Sequence, residues 1–415
     1  FVGPGGTFLT AVMMANFHFN NTKFIFGYSC AMIFQNVSLS NCIIENGINL
    51  KRVFSQHLQI KFITCNFSSS HKFQNKYSMI NFTVFSVQII LFQTSLTDTL
   101  ICIRGVNYYL LMKNTTIFQN KPGNILELGY YIQIANFFQI IVQRKIKVID
   151  SNIYSDLSMT VNSVSSFLDM KIGNIYALVD NCKFYNLQNV ITFTPLQPLG
   201  VYSGCNFEFV LNNSVITQTN TISTYSAINI TILIPKMPLV KANIKITNSH
   251  FSNLSANEGA AIFIHTDNYV GYKNSTINVL ISRNMFLNNI AYRSGGSIQI
   301  GKGIFTNVEH CAFIYNNSIS QEMLYVKGLF LTILDTVLIY SCSFLLTSDT
   351  SIDSFLPILL SSDNLRTFDV EFVCPQWLYL DFRYGVGDSG DLEAVFLSCK
   401  FCPNFMYFAQ SVILL

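Results

Sequence analysis

The chain has 415 residues, half of them hydrophobic, with 37 Phe and 20 Tyr but only 11% charged residues, a composition that excludes intrinsic disorder and demands extensive burial. The net charge of +3 comes from scattered Lys and Arg, with no basic run and no basic and aromatic stripe, which excludes a surface built to follow a nucleic-acid backbone. In chain order, the predicted elements are short strands marked by a small residue two positions before an apolar anchor: Cys42 and Ile44, then Cys65 and Phe67. Residues 77–97 are uncharged and long enough to span a bilayer, but Asn81, Ser86, Gln88 and Gln93 interrupt them and β-branched and aromatic residues dominate. Two strands joined by a short bend are predicted there, with no transmembrane segment in the chain. The same pairing continues through Thr116 and Phe118, Ser151 and Ile153, Cys182 and Phe184, Cys205 and Phe207, and Ser249 and Phe251. It ends with Asn284 and Phe286, Cys311 and Phe313, Cys342 and Phe344, and Cys399 and Phe401.

This is a repeat of variable length. Anchors lie 23 to 57 residues apart, and the three widest gaps, 44, 51 and 57, each hold about two turns. Residues i and i+2 share a face only in a strand, and no apolar stripe of helical period persists, so every turn is predicted to carry two or three short strands. The motif is fullest in "SHFSNLSANEGAAIFI" (249–264) and "NMFLNNIAYRSGGSIQI" (284–300). Setting Phe251 on Phe286 aligns Asn253 with Asn288 and Ala256 with Ala291, and one inserted residue brings Gly259 to Ile262 onto Gly295 to Ile298. The glycines are expected at a corner needing positive φ or close backbone approach. Stacked turns place like residues about 4.8 Å apart, so inward Asn can hydrogen-bond along the stack while other Asn mark turns.

These two segments resemble the N-x-F-x-x-N-x-A-x-x-G-G-A/S-I repeat of right-handed, pectin-lyase-like β-helix proteins, in particular polymorphic outer-membrane-type adhesin repeats and large protist surface proteins. The full motif covers about 60 residues, and its reduced form extends from about residue 30 to 402. The resemblance implies an all-β fold: a single-stranded right-handed parallel β-helix solenoid with irregular loops, continuous over 1–415, with 373–415 as Cys-containing C-terminal rungs or a cap. Residue 1 is Phe, and the chain is taken as a segment or mature part of a longer one. Members of that superfamily include polysaccharide lyases, hydrolases and esterases as well as non-catalytic surface and fibre proteins.

Eleven cysteines in a secreted chain would ordinarily form disulfides. Rung stacking pairs Cys42 with Cys65, Cys182 with Cys205, and Cys311 with Cys342, although parallel Cβ vectors make the torsion awkward. The alternative is a ladder of small buried thiols. Cys399 and Cys402 have C-x-x-C spacing without the second close pair that a zinc site needs, so no metal is expected. Ten N-x-S/T sequons, at Asn20, Asn36, Asn66, Asn81, Asn114, Asn212, Asn229, Asn253, Asn274 and Asn316, point to N-linked glycans covering a surface poor in charge. No other cofactor is expected.

Catalysis on polysaccharide would require clustered carboxylates, and the densest acidic stretch carries Asp381, Arg383, Asp388, Asp391 and Glu393. Its glycine spacing describes a solvated loop equally well. The six His are dispersed, and His250 and His310, next to inward residues, are expected on the surface. The expectation is therefore a non-catalytic, extracellular or cell-surface glycoprotein that self-associates into a coat or fibre. The alternatives are a polysaccharide-active enzyme using the stretch from Asp381 to Glu393, or a glycan-binding adhesin.

Overall fold

The computed structural model describes residues 11–25, 31–35, 37–45, 48–68, 78–120, 124–129, 144–155, 166–171, 174–194, 205–218, 223, 225–232, 240–266, 276–301, 304–318, 331–333, 337–340, 342–345, 354–355, 358–360, 364–368, 371–373, 377–382, 393–397, 406–408 and 413–414. Alternation decides the local structure. In Ile175–Asp180 the residues Ile175, Ala177 and Val179 are buried while those between them are half-exposed, the two-residue period of a strand with one face on a core. The protein is all-β with parallel strands, and no helix occurs among the described residues. It divides into two compact units, Phe1–Leu187 with Ile191–Asn206, and Gln188–Val190 with Phe207–Leu415.

In the first unit, a ladder of short strands runs through Lys23–Ile25, Ile43–Glu45, Asn66–Ser68, Ser95–Thr97, Thr116–Gln119, Asn152–Ser155 and Lys183–Tyr185. A second ladder aligns Asn49, Asn81, Cys102, Glu127 and Asp169. A third aligns Phe19, Leu39, Phe62, Leu91, Met112, Val148 and Val179. The second unit repeats the scheme. Its ladders align Ile216, Phe251, Phe286, Phe313, Phe344 and Phe372; Ile230, Ile264, Ile300, Ile333, Leu360 and Phe382; and Ile246, Ile281, Val308, Ile339, Thr367, Phe396 and Leu414. In-register stacking sets Phe251, Phe286 and Phe313 nearly parallel, with ring centroids 5.1 and 4.8 Å apart. Each ring adds its burial to about 0.5–1.5 kcal/mol per aromatic pair.

The turn before each short strand explains the repeat chemically. One residue there is left-handed: Asn21, Asn41, Thr64, Gln93, Asn114, Asp150 and Asn181 in the first unit, and Asn213, Asn248, Arg283 and His310 in the second, with φ between 47° and 55°. Asn and Asp accept this conformation at the smallest cost, which accounts for their abundance in the column. The next residue turns inward and carries a short donor. Ser151 Oγ donates to Ile149 O at 2.9 Å, Ser214 Oγ to Asn212 O at 2.8 Å, Cys182 Sγ to Asp180 O at 3.2 Å and Cys311 Sγ to Glu309 O at 3.2 Å. Cys, Ser and Thr are thus interchangeable in one role. Cys42, Cys65, Cys102, Cys182, Cys311 and Cys342 are buried free thiols, and all but Cys102 stand in this turn column. Cys205 begins the strand Cys205–Asn212 and does not share the turn column with Cys182.

Two anchors are corrected. The short strand beginning at Thr116 buries Ile117, and Phe118 points outward, 44% exposed. Phe207 is buried in a longer strand, and the corresponding short strand is Val215–Thr217 with Ile216 inward. The short strands around Leu96 and Phe372 fill two of the widest gaps as expected, whereas the one around Phe24 was not anticipated. A small residue two before an apolar one occurs in any strand; the left-handed residue just before it marks the turn. Elsewhere the alignment holds: Phe251 faces Phe286, Ala256 faces Ala291 and Ile262 faces Ile298, with the extra residue absorbed between Ala256 and Glu258. Gly259 and Gly295 have φ of 49° and 61°, and a Cβ on them would lie 2.2 and 2.3 Å from the carbonyl oxygens of Ile262 and Ile298. Residues 77–97 contain the two strands Ser78–Phe92 and Ser95–Thr97, bent at Gln93. No helix among the described residues is long and apolar enough to cross a membrane.

Candidate functional site

Strand alternation creates a charged cluster in the first unit. In Leu126–Gly129, Leu126 and Leu128 are buried inward, which turns Glu127 to the opposite face. On the neighbouring strands Cys102 and Asp169 align with it. Asn124 Nδ2 donates to Glu127 Oε1 and to Asp169 Oδ2, both at 3.1 Å, so these oxygens lie within twice that distance of each other. Lys171 Nζ stands 3.2 Å from Asp169 Oδ2. Asp169 is only 6% exposed, and its Oδ1 is buried without a hydrogen-bond partner. Two positions along from Cys102, Arg104 faces Gly129. Burial pushes the Cys102 thiol above its ordinary range; the Arg104 charge opposes this and the Glu127 charge adds to it. A carboxylate pair tied by one amide, with cations two positions along the strands, can donate and accept protons at a bound hydroxyl. Among the described residues no group of three or more His, Cys, Asp or Glu is placed to hold a metal.

Of the acidic stretch expected from sequence, the described residues are Asp381 and Glu393, and they stand on different ladders. Asp381 lies in Trp377–Phe382 opposite Leu359, whereas Glu393 opens Glu393–Leu397 opposite Asn364 on another ladder. Arg383, Asp388 and Asp391 lie outside the described residues, as do Cys399, Cys402, Asn36 and Asn274. Glu127 and Asp169 were missed because they are 42 residues apart. The signal that could have found them is an acid between two apolar residues, Leu-Glu-Leu and Leu-Asp-Met.

The sequon asparagines separate by position. Asn20, Asn66, Asn114 and Asn253 are exposed, Asn114 and Asn253 at left-handed turns. Asn212 and Asn229 are half-buried. Asn212 Oδ1 accepts from Thr247 Oγ1 at 2.8 Å and from Asn248 Nδ2 at 2.9 Å. Asn81 lies in a strand opposite Asn49 and Cys102. Asn316 is fully buried: its Oδ1 accepts from Asn289 N at 3.0 Å and its Nδ2 donates to Phe286 O at 2.8 Å. The nitrogen a glycan would occupy is committed to the core, which removes Asn316 from the acceptors in the folded chain. No family model matches this chain, and no curated protein and no solved structure matches it.

Proposed function

We propose that this chain is a right-handed parallel β-helix of pectin-lyase-like type and serves as a non-catalytic, extracellular N-glycosylated scaffold that self-associates in a cell-surface coat or fibre. The observation that carries the reading is the exposure of Asn20, Asn66, Asn114 and Asn253 on turns and outward strand positions of a surface with few charges, where sugars would supply the missing hydration. Three parallel ladders whose strands return every 18 to 42 residues support the solenoid. A stacked outward stripe of Phe118, Tyr154 and Tyr185, with centroids 5.3 and 5.0 Å apart, supports lateral association. The test is secretion from a eukaryotic host, followed by glycopeptide mass spectrometry and electron microscopy. Glycans at the four exposed asparagines together with fibres or sheets support the proposal. An unmodified, monomeric product at high concentration defeats it.

One observation favours a second reading, a polysaccharide-active enzyme: the pairing of Glu127 and Asp169 through Asn124 beside Lys171 and Arg104. Cleavage of a glycan panel that disappears in Glu127→Gln and Asp169→Asn would establish it. Cleavage that survives both substitutions would remove the cluster from the chemistry.

A further inference from the structure

The left-handed column of the second unit departs from its own chemistry. Asn213 and Asn248 occupy it in the manner the conformation favours, but the next two turns place Arg283 and His310 there, at φ of 55° and 52°. A long side chain such as Arg pays about 1 kcal/mol or more for this backbone, whereas His enters it more readily, so the local preference is overridden at Arg283. Both side chains are exposed. They border one open groove of roughly 530 Å³ together with Asn248, His250, Met285 and Ser343.

The groove runs across consecutive turns. The short strands that follow the column pair in register, His250 with Met285, Met285 with Ala312 and Ala312 with Ser343, so Asn248, Arg283 and His310 succeed one another at the spacing of stacked strands, about 4.8 Å. Among the described residues no carboxylate lines it. The ion pairs among those residues, Lys171 with Asp169 and Arg293 with Glu258, leave the Arg283 guanidinium without an acidic partner. Met285, 41% exposed, supplies an apolar wall. Burial holds His250 below the ordinary imidazole range, so near neutral pH it offers a hydrogen bond without adding a charge.

We propose that this groove binds an acidic polysaccharide, with Arg283 and His310 holding its sulfate or carboxylate groups and Met285 packing against a sugar ring. A planar guanidinium takes either oxyanion in a bidentate manner, and an extended glycan presents charges and ring faces in alternation along a line. The binding is independent of whether the chain builds a coat and of any cleavage at Glu127 and Asp169.

The test is fluorescence anisotropy with the full 415-residue chain and four labelled probes: a heparin-type sulfated hexasaccharide, hexagalacturonate, neutral maltohexaose and hexaglutamate. One or both acidic sugars should bind at least about ten-fold more tightly than maltohexaose and hexaglutamate, and the stronger of the two identifies sulfate or carboxylate as the group recognised. Arg283→Asn keeps a residue suited to the left-handed turn and removes the charge, so the fold is preserved; it should weaken acidic-sugar binding by about ten-fold or more. His310→Asn should weaken it as well, and Lys183→Asn, an exposed cation in the other unit, should not. Thermal unfolding of each variant verifies folding. Equal binding of all four probes, preference for hexaglutamate, or an Arg283→Asn protein that binds like the parent would overturn the assignment.

Discussion

Replacing Asn289 by Ala tests whether inward asparagines hold successive turns together. Asn289 is fully buried; its Oδ1 accepts from Leu254 N at 3.0 Å and its Nδ2 donates to Phe251 O at 3.2 Å, both groups belonging to the preceding turn. The alanine leaves the buried Leu254 N–H without an acceptor, which costs about 1–3 kcal/mol, and removes one bond from the Phe251 carbonyl, worth about 1 kcal/mol. The sum is about 2–4 kcal/mol. The matched control is Asn253→Ala, at an exposed left-handed turn, which loses a surface bond from Asn288 Nδ2 at 2.8 Å and some turn preference, about 1 kcal/mol. Repeat arrays need not unfold in one step, so the informative assay is amide hydrogen exchange read at Leu254 alongside chemical denaturation. If opening around this turn governs exchange, Leu254 should exchange about 30- to 1,000-fold faster in Asn289→Ala. Unchanged protection of Leu254, or a control variant destabilised as much, would refute the inward-ladder argument.

The other predictions concern different columns. Gly295→Ala should cost more than the 1–2 kcal/mol or so of a left-handed alanine, because the added Cβ meets Ile298 O at 2.3 Å and backbone must move; equilibrium denaturation measures it. Phe286→Ala removes the middle ring of a buried stack and should cost about 3–5 kcal/mol, whereas Phe118→Ala, at an exposed ring, should cost far less. Burial pushes the Cys182 thiol from 9.0 up to about 12 and the Cys65 thiol up to about 11. Their folded pKa values are raised, so the stability they contribute is complete below pH 9 and falls as pH rises toward 11 and 12. For Cys182 the loss is at most about 4 kcal/mol, and Cys182→Ser should abolish its share in a pH series of unfolding midpoints. Glycopeptide analysis of the secreted protein should find Asn316 unoccupied, because its amide is bonded within the core.

The sequence by itself determined the strand period, the repeat and its best-conserved alignment within the chain. Those features are local: alternation of buried and exposed residues, asparagine at left-handed turns, and glycine where a Cβ would strike a carbonyl all act within a few residues. It also exposed both roles of asparagine, turn residue and inward hydrogen-bonding group, without separating them. That separation belongs to tertiary structure. Asn288 and Asn289 are adjacent, yet one is exposed at φ 52° and the other is fully buried, because the left-handed turn between Met285–Leu287 and Ile290–Ser294 sends the first side chain outward and the second into the core. Tertiary structure also decided that the cysteines serve as short donors in place of Ser or Thr, since that role is visible only when Cys182, Ser151 and Ser214 are seen in the same turn position. Glu127 met Asp169, and Arg283 met His310, for the same reason. Stacking converts separations of 42 and 27 residues into neighbouring strands, and nothing in the chemistry of either residue alone announces its partner.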